Sequence, residues 1–287
     1  MSLTQDLKVL YHLACKPVRG ETHAERLESF YSGQAGAYDD FRERLLKGRS
    51  ELITACERYL SEISSSNGLW LDLGGGTGRN LAYSAKLRTA FAQAVVVDLS
   101  ESLLKQADQR INGEGWRNVS TLCADVTRLN KRDVQIGVEG RAEISSTDCA
   151  DKTKKVQLVT FSYSLTMIPD WYRAIDNAID LLEPGGMLGI VDFYVGRKHG
   201  FNISEHRPAK KHSWFTRSFW STWFALDNVF LCPDHLPYLL SRCELVEVQE
   251  HLGSVPYIPF IKVPYYIFIG RKRGGTSTST NSQGAQS

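Results

Sequence analysis

This chain has almost no net charge. Its 34 Lys and Arg nearly cancel 32 Asp and Glu, leaving +2 over 287 residues. That excess is too small to point to nucleic acid as a partner. Cysteine is scarce as well. Six are scattered with no C-x-x-C pair, which supports neither a zinc site nor a disulfide framework and makes reduced thiols in a cytosolic protein the expectation. No apolar run approaches the roughly 18 residues that a membrane-crossing helix needs. Asp6 and Lys8 interrupt the early apolar positions, so no signal peptide is read. Asn202-Ile203-Ser204 is a formal glycosylation sequon that carries no weight without such a signal. Internal repeats are absent. With 42% hydrophobic and 23% charged residues, the composition is that of an ordinary globular protein, long enough for one large domain or a domain with a lid.

The most informative stretch is Leu71-Asp72-Leu73-Gly74-Gly75-Gly76-Thr77-Gly78-Arg79-Asn80. A short apolar run ends in an acid, a glycine turn follows, and a helix is expected to open at about Arg79. Glycine allows a ligand to approach the backbone of such a turn. A dinucleotide fingerprint would need glycine at position 79, where Arg79 stands. The run instead resembles the first motif of class I S-adenosylmethionine methyltransferases, E/D-x-G-x-G-x-G. Ala94 to Val97, Val119 to Cys123, Val156 to Tyr163 and Gly185 to Tyr194 read as further strands, with Asp98 and Asp125 following the first two. An acid about 20 residues past the glycines suits the two ribose hydroxyls of a nucleoside.

The expected architecture is therefore α/β: a Rossmann-like, seven-stranded, mostly parallel sheet with helices on both faces and a last strand running antiparallel. Residues 1–66 read as an N-terminal helical cap, with Phe41, Leu45, Leu52, Cys56 and Tyr59 forming a core-facing stripe. Residues 67–273 read as the nucleotide-binding domain. Within it, 130–155 is expected to be a polar surface loop and 195–240 an inserted aromatic lid, while 243–250 and 264–271 close the sheet. The Gly, Ser, Thr, Asn and Gln tail at 274–287 is expected to be disordered.

Three further segments narrow the resemblance: Ala37-Tyr38-Asp39-Asp40-Phe41-Arg42, Phe161 through Trp171, and Trp220 through Asp227 with the following Pro233-Asp234-His235-Leu236-Pro237-Tyr238-Leu239. Together with the glycine run they resemble the methyltransferase half of betaine-lipid synthase over about residues 30–271. That family trimethylates the amino group of diacylglycerylhomoserine. The resemblance implies S-adenosylmethionine as cofactor, held by Tyr38, Arg49, Asp72, Gly74, Gly76, Asp98, Leu99, Asp125, Val126 and Ser162, with no metal. It also implies a lipid substrate at a membrane surface, and hence a cytoplasmic protein peripherally associated with a membrane, at the cytoplasmic face of the endoplasmic reticulum in a eukaryote. Nothing here resembles the aminocarboxypropyl-transferring half that some members carry, so a partner domain or protein is expected to supply diacylglycerylhomoserine.

Methyl transfer to an amine requires positioning and exclusion of water. Its end product is a quaternary ammonium that only aromatic faces hold well. Tyr163, Trp220 and Trp223 are the candidate catalytic aromatics, with Trp171, Tyr194 and Trp214 as further candidates, and Arg42 and Arg49 could grip a carboxylate. Basic Arg197, Lys198, Arg207, Lys210, Lys211 and Arg217 lie beside Phe201, Trp214, Phe215, Phe219 and Phe224, the composition of an interfacial segment. Two readings compete: a class I methyltransferase for a soluble small molecule, and a binding protein of the same fold without catalysis. RNA methylation is disfavoured, because no Asn/Asp-Pro-Pro-aromatic motif follows the fourth strand.

Overall fold

The computed structural model describes Thr22, Glu25 and residues 45–63, 67–139, 154–205, 207–225, 229–255 and 258–274. Tyr38, Phe41, Arg42 and the tail from residue 275 lie outside the described residues.

Seven strands form one sheet in the order β3-β2-β1-β4-β5-β9-β8. Their ranges are β1 Gly68–Leu73, β2 Gln93–Asp98, β3 Val119–Cys123, β4 Lys155–Ser162, β5 Met187–Phe193, β8 Glu244–Val255 and β9 Ile258–Arg271. The first five run parallel, and Leu71 stands opposite Val95 on one side and Val159 on the other. β9 is antiparallel to both β5 and β8. It is therefore the single reversed strand that the sequence pattern predicts.

Strand periodicity divides the core into two layers. Leu69, Leu71 and Leu73 of β1 face a cluster with Val134 and Val138 of α5 (Lys131–Glu139), Ala174 and Ile175 of α6 (Trp171–Leu181), and Leu236 and Leu239 of α8 (His235–Arg242). Trp70 points the other way. It packs with Leu52 and Cys56 of α1 (Arg49–Arg58), Leu87 of α3 (Ala85–Thr89), Leu104 and Ala107 of α4 (Glu101–Gly113), and Trp220 and Phe224 of α7 (Trp214–Ala225). A short α2 (Leu60–Ile63) completes the set. Helix α4 starts where Ser100 caps it, its Oγ accepting from the Leu103 amide at 3.4 Å. The expected α1 stripe holds at Leu52 and Cys56, which are buried, while Leu45 and Tyr59 are half-buried.

Four expectations are corrected. Residues 131–139 are not loop but helix α5, because Val134 and Val138 supply one apolar stripe against the sheet, with Asn130 Oδ1 accepting the Asp133 amide at 3.0 Å at its start. Arg79–Ala82 is a single 3-10 turn, and the α-helix begins only after Ser84. The closing strands reach Val255 and start at Ile258, making a long antiparallel ribbon beyond the sheet body. A two-stranded hairpin, β6 (Asn202–Ser204) with β7 (Arg207–Pro208), lies inside the expected lid. Among the described residues no helix is long and apolar enough to cross a membrane.

Candidate active site

A cavity of about 210 Å³, open at its mouth, lies at the carboxyl ends of β1, β2 and β4. Strand order reverses around β1, and such a crevice is where open α/β sheets bind ligands. The glycine loop forms its floor. Gly74 adopts φ 62°, and a Cβ there would lie 2.5 Å from Ser164 Cβ. Gly76, at φ 56°, donates its amide to Asp98 Oδ2 at 2.9 Å. The loop is thus tied to the end of the neighbouring strand.

Asp98 accepts a second backbone bond at Oδ1, from the Ser100 amide at 2.9 Å. Its carboxylate lines the cavity in a fixed orientation, next to Leu99. Farther along the same wall, Asp125 and Val126 line the cavity, and Asp125 Oδ1 accepts from Thr127 at its amide (2.9 Å) and hydroxyl (2.7 Å). Ser162 lines it too, and its Oγ is buried without a hydrogen-bond partner. A buried hydroxyl in that state is poised for a ligand atom.

Asp72 is corrected. It is fully buried and does not line the cavity. Asn80 Nδ2 donates to both its oxygens, at 2.8 and 3.0 Å, and Thr160 Oγ1 donates to Oδ1 at 2.7 Å. Trp70 Nε1 in turn donates to Thr160 Oγ1 at 2.8 Å, and Arg49 Nε donates to Asn80 Oδ1 at 3.1 Å. Burial pushes the Asp72 carboxyl up to about 6, against the pull of Thr160, Asn80 and Arg49. The motif acid therefore holds the glycine loop to β4 and fixes Arg49, and it is Arg49 that reaches the cavity wall.

Tyr163 follows β4 and lines the cavity in the left-handed region, at φ 55°. For a bulky residue this conformation costs about 1–3 kcal/mol and persists only when its surroundings over-determine it. Here they do. Its amide donates to Val191 O at 2.8 Å, its hydroxyl donates to Lys47 O, and its ring lies 4.5 Å from that of Phe193. Burial raises the phenol well above its ordinary value, so Tyr163 offers a neutral ring face and not an acid or base.

The structure does not bring the expected tryptophans to the cavity. Trp220 is 4% exposed and its Nε1 donates to Lys262 O at 3.0 Å. Its ring packs 5.4 Å from Phe224. Trp223 is 44% exposed at the edge of the buried face of α7, stacked 5.8 Å from Phe219. The reason is helical geometry: residues three apart share a side only approximately, and Phe224 claims the buried side with Trp220. Trp171 packs on His235, and Tyr194 donates its hydroxyl to Glu250 at 2.5 Å. Rings do form a continuous path behind the cavity, from Tyr163 to Phe193 (4.5 Å), Phe224 (4.7 Å) and Trp220 (5.4 Å).

Residues that sequence reasoning left without a role also line the cavity: Thr77, Leu103, Ala124, Thr127, Ser164, and Met167 through Asp170. The turn Pro169-Asp170 was a readable signal, since it interrupts the chain just past a strand end. Leu103 carried none, because it reads as the apolar face of α4. The described lining holds no histidine, lysine or cysteine, and no metal-binding group of His, Cys, Asp and Glu occurs among the described residues.

Comparison with known proteins agrees with this geometry. A family model described as a methyltransferase domain matches residues 41–228. A ubiquinone/menaquinone biosynthesis C-methyltransferase UbiE from Pseudomonas fluorescens (strain SBW25) is 26% identical over 189 residues, 66% of this chain and 66% of that protein, so the match spans just under two thirds of the relative's length. Among solved structures, phosphoethanolamine N-methyltransferase 2 of Haemonchus contortus, in complex with phosphomonomethylethanolamine and S-adenosylhomocysteine, superimposes with a TM-score of 0.55 at 14% identity, covering 88% of this chain and 61% of that one. The [4+2]-cyclase SpnF does so with a TM-score of 0.52 at 16% identity, covering 91% and 100%. At such identities the likeness extends to the fold alone, and the fold hosts more than one chemistry.

Proposed function

The chain belongs to the methyltransferase-domain family, whose class I members use S-adenosylmethionine, and from that premise we propose that it trimethylates a lipid-borne amine, the amino group of diacylglycerylhomoserine. The observation that carries this reading is the make-up of the cavity wall: the Tyr163 ring face and the Arg49 guanidinium, with Asp98, Asp125 and Asp170 as its carboxylates and no histidine, lysine or cysteine among the described lining.

The residues present fit the cofactor. Gly74 and Gly76 would let its amino-acid end approach the backbone, Asp98 would accept from the ribose hydroxyls, Asp125 and Val126 would border the adenine, and Ser162 Oγ would gain the partner it lacks. When bound, the cofactor supplies an electrophilic methyl on a sulfonium. Arg49, held by Asn80, grips a carboxylate in a way lysine would not. Tyr163 presents the ring that a growing ammonium charge needs. A carbon or phenol acceptor would need a base to strip its proton. An amine attacks once it is neutral, and desolvation in the cavity favours that form. Tyr163 has its hydroxyl engaged and Asp72 is outside the cavity; of the carboxylates on the wall, Asp98 is held by the Gly76 and Ser100 amides, Asp125 by Thr127, and Asp170 is paired with Arg173 at 3.7 Å.

The relatives' names favour a second reading, methylation of a ring carbon in a quinone precursor. Incubation of the full chain with S-adenosylmethionine and diacylglycerylhomoserine in detergent micelles, followed by mass spectrometry, tests the first. Lipid gaining one, two and three methyl groups is the expected result. Unmodified lipid, with cofactor binding demonstrated, refutes it.

A further inference from the structure

Helix α7 buries one aromatic face in the core and carries a second, adjoining aromatic stripe that is largely exposed. Trp220 and Phe224 are buried against the sheet. Beside them Phe215, Phe219 and Trp223 recur every four residues and stack, with ring centroids 5.6 and 5.8 Å apart, the half-buried Phe219 also lying 5.1 Å from Trp220. Trp214 and Phe215 at the start of the helix are 74% and 67% exposed. A helix facing water carries polar residues there, and a contiguous aromatic stripe marks an interaction surface.

Charge identifies the partner. Residues 195–217 hold six Lys or Arg and a single acidic residue, Glu205, in a chain otherwise close to neutral. Part of that charge fixes the segment in place. Arg197 pairs with Asp234 at 2.5 Å, Arg207 Nη1 donates to Val248 O at 2.6 Å, and the Lys210 amide donates to Glu250 at 3.0 Å. His212 Nδ1 accepts the Gly196 amide at 2.8 Å, and burial lowers its pKa, so it stays neutral there. Lys198 and Lys211 are exposed on the anchored segment, ahead of the aromatic stripe.

We infer that the exposed face of α7, with the basic segment 197–211 before it, docks on the surface of an anionic phospholipid bilayer. Tryptophan and phenylalanine enter the headgroup–acyl boundary while lysines meet anionic headgroups. The buried face of the same helix is the end of the ring path that starts at Tyr163. Docking deepens the lipid reading of the acceptor and rests on it. Vesicle binding, however, is measured without turnover, so the two fail separately.

The test is co-sedimentation of the full chain with phosphatidylcholine vesicles, with and without phosphatidylserine, with cofactor affinity measured alongside. Wild type should bind the anionic vesicles and scarcely the neutral ones. The double substitution Trp214→Ser/Phe215→Ser should weaken binding at least tenfold with cofactor affinity retained. Lys198→Gln and Lys211→Gln should each cost roughly fivefold at low salt, fading as salt is raised. Equal binding of wild type and the Trp214→Ser/Phe215→Ser variant overturns the inference. So does failure of wild type to bind anionic vesicles when it methylates micellar lipid. A wild-type dimer that this variant converts to monomer also overturns it, because the stripe is then an interface between copies.

Discussion

The two sides of the cavity are built by different means. On the β1–β2 side, backbone dominates: Gly74 and Gly76 in the left-handed region, and Asp98 clamped by the amides of Gly76 and Ser100. On the β4–β5 side, packing dominates: Tyr163 over Phe193, Phe224 behind it and Trp220 behind that. The first side depends on residue type at fixed spacing and suits a ligand shared across a family. The second depends on which large rings neighbour each other in space, and it can be remodelled for a different acceptor without touching the first.

Substitutions on each side sharpen that contrast. The largest effect is expected from Trp220→Ala, which should cost about 3–5 kcal/mol of stability in urea unfolding as a buried ring is lost, whereas Trp223→Ala at the exposed face should change stability by about 0.5 kcal/mol or less. Equal losses would show that both rings are core. Next, Asp98→Ala removes a carboxylate whose charged hydrogen bonds are worth about 1.5–3 kcal/mol each, and S-adenosylmethionine affinity in calorimetry should fall at least tenfold. Unchanged affinity would place the ribose elsewhere.

Asp192 gives a pH-dependent comparison on the packed side. It is fully buried, accepting from the Thr166 hydroxyl at 2.8 Å and the Phe193 amide at 2.8 Å, and burial pushes it up to about 7 from 3.8. A carboxyl raised on folding binds more protons in the native state than in the unfolded one. Its contribution is therefore fully present below pH about 4 and is lost as pH rises through about 7. Asp192→Asn should flatten the fall of the thermal midpoint across that window, and an identical slope would argue that the carboxyl is ionised throughout. A small effect is expected of Tyr163→Phe. Loss of the hydroxyl bond to Lys47 O should cost about 1 kcal/mol in unfolding while leaving the ring face, and with it methyl transfer, largely in place. Abolished transfer with an intact fold would instead make the hydroxyl a participant in the reaction.

Legibility followed the same division. The parallel strands, the reversed β9 and the wall formed by Gly74, Gly76, Asp98, Leu99, Asp125, Val126 and Ser162 were readable, because strand ends and left-handed glycines leave their mark on local sequence. Asp72 was read in the right motif but at the wrong depth. Nothing local reveals that Asn80 and Thr160, the latter from another strand, saturate both its oxygens. The placement of the α7 tryptophans away from the cavity lining was not legible for a related reason: an aromatic helix does not disclose which face meets the sheet. Helix α5 was missed because its apolar stripe is short, with Val134 and Val138 its only large apolar side chains in the core cluster.

The central claim is that the methyl group goes to a lipid-borne amine. It is tested most directly by competition: the full chain, labelled S-adenosylmethionine, and equal amounts of diacylglycerylhomoserine and a demethylated quinol in the same micelles. The account predicts label on the lipid nitrogen, accumulating through to the trimethylated form, with the quinol unlabelled. Label on the quinol ring carbon, with the lipid amine untouched, would contradict it.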